Sequence, residues 1–242
     1  MVMKIIADGG AITKNVGTNT RDSLILALNT TYIDGVKLKL YLTKDNRIVS
    51  LGDDVVAFFT QFVNKIEDIE LKKLLTYNVG TKVQKQRIIT LQEVLEIFQN
   101  YKKELILELM DQGEKNALFV DLVMVAIRPY QDDQIKLESE NEELFRYLEA
   151  EQSNFQVGIV LRESSQRNWY LDASFYDIAL PLLSEFNIRE KTNQGKIVML
   201  DQINRMEVFD LVYQEFQDIF ESLYIITSSV SSINDSTNLN GK

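Results

Sequence analysis

The chain has 242 residues and a mass of 28.0 kDa, with 45% apolar and 26% charged residues, enough for one large soluble domain or two small ones. It contains no cysteine and no histidine, which excludes disulfide scaffolds, thiol catalysis, the Ser-His-Asp triad and imidazole-bound zinc. Lys and Arg number 26 against 36 Asp and Glu, a formal charge of −10 that repels polyanions, and no basic block along the chain argues for nucleic acid.

The amino terminus lacks a long apolar segment, and the longest apolar runs, such as 24–28, fall far short of a membrane span, so the expectation is a cytoplasmic protein with no membrane span. Residues 5–8 form a short apolar run ending in Gly9-Gly10, a strand-then-loop signal. Thr20 then caps a helix over 21–28. Segment 36–42 alternates, with Val36, Leu38, Leu40 and Leu42 on one face and Lys37, Lys39 and Tyr41 on the other. A four-residue turn, 43–46, leads to a second strand at 47–51, and a link that short makes the pair antiparallel.

Helices are expected over 55–66 and 69–75, and a capping box at Thr90-Leu91-Gln92-Glu93 opens another that runs to about residue 101. A buried strand at 105–110 precedes a helix over 114–127, and a strand at 134–137 precedes a helix over 141–152. Strands follow near 156–161 and 169–171, then a helix at 176–186, a strand at 196–200, a helix at 204–220 and a strand at 223–227. From residue 229 to 242 the chain is a polar, Ser/Asn-rich tail. Leaving out the hairpin partner at 47–51, eight strands separated mostly by helices predict a (β/α)8 barrel over 1–228, with a hairpin and helical insertion after the second strand. The 161–169 link is short for a crossover helix, and a doubly wound open sheet is the alternative.

In such a barrel the active site lies at the carboxyl ends of the strands. The charged groups there are Asp8, Lys37, Lys39, Asp53 with Asp54, and Glu108. Glu108, inside Leu-Ile-Leu-Glu-Leu-Met, is costly to bury unless it meets a cation, so it belongs either to a structural ion pair or to a ligand site. Lys37 and Lys39 share one face, which points either outward to solvent or inward to the mouth beside Glu108. Asp53 and Asp54 suit the first turn of the next helix, and the acidic stretch 138–143 is expected as a solvated helix start. No phosphate-binding Gly-rich loop is present.

The order of segments resembles the glycerophosphodiester phosphodiesterase family, barrels related to phosphatidylinositol-specific phospholipases. The resemblance runs through Ile6-Ala7-Asp8-Gly9-Gly10, Thr18-Asn19-Thr20, Asp34-Gly35-Val36-Lys37-Leu38-Lys39-Leu40, Thr43-Lys44-Asp45-Asn46 and Val49-Ser50-Leu51-Gly52-Asp53. It continues through Thr90-Leu91-Gln92-Glu93-Val94-Leu95, Leu107-Glu108-Leu109-Met110 and Ile225-Ile226-Thr227-Ser228. The family mechanism implies two histidines as acid and base, and a divalent cation on three carboxylates. Here the histidine positions match Asp8 and Gly52, two ligand positions match Lys37 and Lys39, and Glu108 alone retains a ligand. The family's strand lysine is Met110.

The resemblance therefore implies a degenerate member with no catalytic residue, no metal and no cofactor. Its ligand-pocket candidates are Asp8, Asn19, Lys37, Lys39, Asp53 and Glu108, facing a small phosphate-containing or other anionic ligand. Two other readings stand beside it: a hydrolase with metal-independent chemistry using Asp8 or Asp53 as acid/base, and an interaction module acting through its outer helices. One of the two lysines is expected within salt-bridge distance of Glu108.

Overall fold

The computed structural model describes residues 3–11, 16–80, 84–130, 133–151, 154–163, 165–219 and 222–229. Eight parallel strands run in the order β1 (Lys4–Asp8), β2 (Gly35–Leu42), β5 (Glu104–Leu109), β6 (Ile135–Ser139), β7 (Gln156–Leu161), β8 (Phe175–Ala179), β9 (Ile197–Asp201) and β10 (Leu223–Thr227). Pairing of β1 with both β10 and β2 closes the ring, which is a (β/α)8 barrel and not an open sheet. Between β2 and β5 the chain adds β3 (Ile48–Ser50), antiparallel to β2, and β4 (Ile89–Thr90), antiparallel to β3. The expected hairpin and helical insertion are therefore present. The tail from 230 to 242 lies outside the described residues.

Helix α1 (Arg21–Asn29) begins at Thr20, whose hydroxyl accepts from the Ser23 N–H while the Ser23 hydroxyl accepts from the Thr20 N–H. The insertion carries α2 (Asp53–Phe62) and the single-turn α3 (Leu71–Leu74), and α4 (Leu91–Phe98) opens on the expected capping box between Thr90 and Glu93. The remaining outer helices are α5 (Asn116–Ile127), α6 (Glu142–Ala150), α7 (Glu185–Asn193) and α8 (Met206–Glu215). None among the described residues is long and apolar enough to cross a membrane.

Outward-facing strand residues such as Val36, Leu38, Leu40, Leu107 and Ile159 form the large core beneath the helices. Inward-facing Ile6, Ile106, Phe175, Met199 and Ile226 form a separate apolar layer across the barrel. Gly158 faces Phe175, and its missing side chain leaves the room that the ring takes up. Below that layer Lys4, Glu104, Lys136 and Tyr224 close the barrel floor, with Lys136 Nζ 3.1 Å from Glu104 and the Tyr224 hydroxyl donating to it at 2.9 Å. A plugged floor and a packed middle leave the carboxyl ends of the strands as the site for chemistry.

Three expectations from the sequence fail here. Residues 169–171 are not a strand but fall largely in a short 3-10 helix, Gln166–Tyr170, and the strand comes later, at β8, where a helix was expected over 176–186. Tyr176, Ala179 and Leu180 also fit a helical spacing, and the charged Asp177 interrupts the apolar run that marks a buried strand. The acidic stretch 138–143 is not wholly a solvated helix start either, because Glu138 and Ser139 are buried at the end of β6 and α6 begins only at Glu142.

Candidate functional site: an ion cluster in the barrel mouth

Strand register brings the charged residues to one level. Asp8 pairs with Lys37, Lys39 with Glu108, and Glu108 with Glu138, while Asp201 pairs with Ala179 two residues beyond Asp177. All of them face inward. Period two in β2 therefore sends Lys37 and Lys39 into the barrel and Leu38 and Leu40 into the outer core.

Lys37 is fully buried and its ammonium is surrounded by carboxylates from four strands. It lies 2.8 Å from Glu138 Oε1, 3.1 Å from Glu108 Oε2 and 3.8 Å from Asp201 Oδ2, and it donates a close hydrogen bond to Asp177 Oδ2. The expected approach of one lysine to Glu108 is thus made by Lys37. Arg162, just past β7, reaches Glu108 from the other side at 3.1 Å and 3.4 Å, with Glu140 at 3.5 Å and Asp201 at 3.8 Å. Lys39 sits nearer the rim and binds Asp53 at 2.6 Å, whose side chain is 71% exposed.

Protonation follows from this geometry. Burial works to raise the Glu108 carboxyl, but Lys37, Arg162 and Lys39 outweigh it and hold the group at about 2. Burial likewise opposes the charge on Lys37, yet the four surrounding carboxylates push it well above the ordinary lysine value. Glu138 and Asp177 are both raised, first by burial and then by neighbouring carboxylates, against the pull of Lys37. Asp8 is pushed up to about 6 by burial, with Asp201 and Glu108 adding to the shift and Lys37 and Lys39 opposing it. Among the described residues, Asp8, Glu108, Glu138, Asp177 and Asp201 gather around three cations, Lys37, Lys39 and Arg162, so the mouth holds more acid than base, which favours proton uptake at Asp8, Glu138 and Asp177.

The remaining candidates frame the rim. Asn19 is buried in a left-handed conformation, φ 54°, with its side-chain oxygen accepting from the Ser50 hydroxyl at 3.0 Å. Its N–H donates to the Gly9 carbonyl at 2.7 Å, while the Gly9 N–H binds the Lys37 carbonyl at 2.9 Å, which ties the β1 loop to β2. Gly52 is the N-cap of α2, and a Cβ there would crowd Thr18 Oγ1 at 2.8 Å and Asn19 Nδ2 at 3.2 Å. Asp53 and Asp54 occupy the first turn of α2 without a side-chain cap, and Asp53 also serves Lys39. Met110 packs with the insertion's own core. A cavity of about 290 Å³ opens beside the cluster, between Met110, Ser139, Glu140 and Asn168, and does not include Lys37 or Glu108.

Glu138, Asp177, Asp201 and Arg162 were not singled out from the sequence. One signal was available for two of them: like Asp8, Asp201 ends an otherwise apolar strand, Ile197-Val198-Met199-Leu200-Asp201, and Asp177 is the charged residue within Phe175-Tyr176-Asp177-Ile178-Ala179.

Solved structures share this architecture from end to end. A putative glycerophosphodiester phosphodiesterase from Galdieria sulphuraria superposes with a TM-score of 0.81 at 16% identity, over 100% of this chain and 99% of that one. A phosphodiesterase from Oleispira antarctica, solved with its product sn-glycerol-3-phosphate, gives 0.80 at 18% identity over 98% and 97%. The chain has the fold of the glycerophosphodiester phosphodiesterases. A third such barrel, from Parabacteroides distasonis, matches at 0.80 and 16% identity over 99% and 98%. No protein-family model matches the sequence, and no curated protein matches it. Against the divalent cation that the family resemblance implies, the donor set does not fit. The Lys37 ammonium stands among the carboxylates that would be needed, and with it in place no set of three or more acidic side chains among the described residues is arranged to hold a metal ion.

Proposed function

We propose that the chain is a member of the glycerophosphodiester phosphodiesterase family in which an internal ion cluster replaces the reaction centre, leaving the barrel without phosphodiesterase turnover. The observation that carries this reading is the buried Lys37 ammonium, 2.8 Å from Glu138 and 3.1 Å from Glu108. A divalent ion needs anionic oxygens free to coordinate it, and these are committed to an ammonium that repels it. Without that ion nothing polarises a phosphoryl oxygen, and without histidine the usual acid–base pair is missing. The mouth also keeps a rim cation, Lys39, whose partner Asp53 is exposed and can give way to the phosphate of a small ligand.

One observation favours a second reading, a slow metal-independent hydrolase. Asp8, with its carboxyl near 6 and Lys39 close by, has the protonation behaviour of an acid/base group. The deciding assay is hydrolysis of glycerophosphocholine and of an aryl phosphodiester, with magnesium, with calcium and with chelator. No turnover under any condition is expected. Chelator-resistant turnover lost in Asp8→Asn establishes the second reading, and metal-dependent turnover overturns both.

A further inference from the structure

Glu108, Glu138, Asp177 and Asp201 come from β5, β6, β8 and β9 and converge on one point inside the barrel. Converging carboxylate oxygens are the donor set of a hard divalent cation. Here the point is taken by an ammonium tethered to β2, and Lys37, Glu108, Glu138 and Asp177 are all wholly buried. We infer that Lys37 is the resident cation of this barrel, and that this single side chain keeps a divalent ion out of a latent all-oxygen site. The inference rests on the reading that the barrel centre works without metal.

Three considerations support it. The ammonium–oxygen spacings of 2.8 Å and 3.1 Å exceed calcium–oxygen lengths of about 2.3–2.6 Å by a margin that small carboxylate shifts can close. Removing the ammonium leaves three buried carboxylates with Arg162 as the main counter-charge, an arrangement that must take up protons or a cation. Lys39 does not occupy the same point, because its backbone is fixed by pairing with Glu108, two residues further along β2, and its ammonium meets Asp53 at the rim. An all-oxygen, irregular set suits calcium or manganese and offers nothing to a thiophilic metal.

The test is thermal unfolding and calorimetry of wild type, Lys37→Met and Lys37→Met/Glu138→Gln, in chelator and then with calcium or manganese. The wild type should show no binding and no shift in Tm. Lys37→Met should be destabilised in chelator, recover several degrees with either ion and bind one ion per chain, and the double variant should lose that response. Indifference of Lys37→Met to both ions overturns the inference, including the case in which it fails to fold with or without them. So does wild-type binding that depends on Glu108. Metal-independent turnover by the wild type would overturn the silent-barrel reading and leave this assignment standing.

Discussion

Lys37 Nζ and Glu138 Oε1 stand 2.8 Å apart with neither side chain exposed to solvent, on strands separated in the barrel by β5. The contact therefore crosses the mouth and does not follow a sheet ladder. Together with the Glu108 and Asp177 contacts, it makes one ammonium the hub for three strands besides its own. The apolar layer below it, from Ile6 to Ile226, shields the hub from the floor, so the cluster depends on its own members for charge compensation.

Removing the hub should be costly. Lys37→Met leaves Glu108, Glu138 and Asp177 buried without their shared counter-charge, and breaking a buried pair costs about 3–5 kcal/mol. Adding Glu108→Gln should recover part of that loss. Among the single carboxylate changes at neutral pH, Glu108→Gln should cost more than Asp177→Asn, because Glu108 is held ionised and Asp177 is held towards its protonated form. Denaturant unfolding of the four variants checks the order, and equal losses for Glu108→Gln and Asp177→Asn would contradict this distribution of charge.

The rim pair behaves differently. Asp53 is 71% exposed, so its bridge to Lys39 is screened by water, and Asp53→Asn should change stability by less than about 1 kcal/mol. The same variant should bind inorganic phosphate more tightly than wild type if Lys39 is the cation that a small anion takes. Calorimetry with phosphate reads the second effect and urea unfolding the first.

The fold was legible because outward strand faces are mostly apolar and several of the helices between them carry side-chain caps, as at Thr20, Thr90, Asn141 and Ser184. The candidate site was only half legible. Lys37, Lys39 and Glu108 announce themselves as charges in apolar strands, and the structure brings them together. Glu138 and Asp177 did not, because in a barrel the inward face of a strand is also polar near the mouth. Alternation in Ile135-Lys136-Leu137-Glu138 reads the same whether the polar face meets solvent or a buried ammonium. No local pattern carries the convergence of four strand ends on one point, since closure of the ring creates it.

Gly158 tests the apolar layer beneath the cluster. Its ideal Cβ position falls inside the contact distance of three Phe175 ring carbons, and that ring is wholly buried. Gly158→Ala should therefore force Phe175 off its rotamer or push β7 from β8, at a cost of about 1–3 kcal/mol. Adding Phe175→Leu should restore part of the loss. A neutral Gly158→Ala in thermal unfolding would mean that the ring has another place to go.

The pH dependence of stability should run opposite to that of a protein held by ionised carboxylates alone. Asp8 is raised to about 6, and Glu138 and Asp177 are raised as well, so above the ordinary carboxylate range near 4 the folded chain holds protons that the unfolded chain has released. Stability then falls as pH rises through that window, by at most about 1.4 kcal/mol per pH unit for each excess proton. Glu108 and Glu93 act the other way. Both are held at about 2, so their contribution is present above about pH 4 and is lost as pH falls towards 2. The two trends place the maximum between about pH 4 and 5, and no histidine titrates to blur the decline above it. Urea midpoints at pH 4.5, 6 and 7.5 should fall in that order, and Asp8→Asn should flatten the step between 4.5 and 6. A midpoint that climbs steadily to pH 7.5 would show that the folded cluster holds no extra proton.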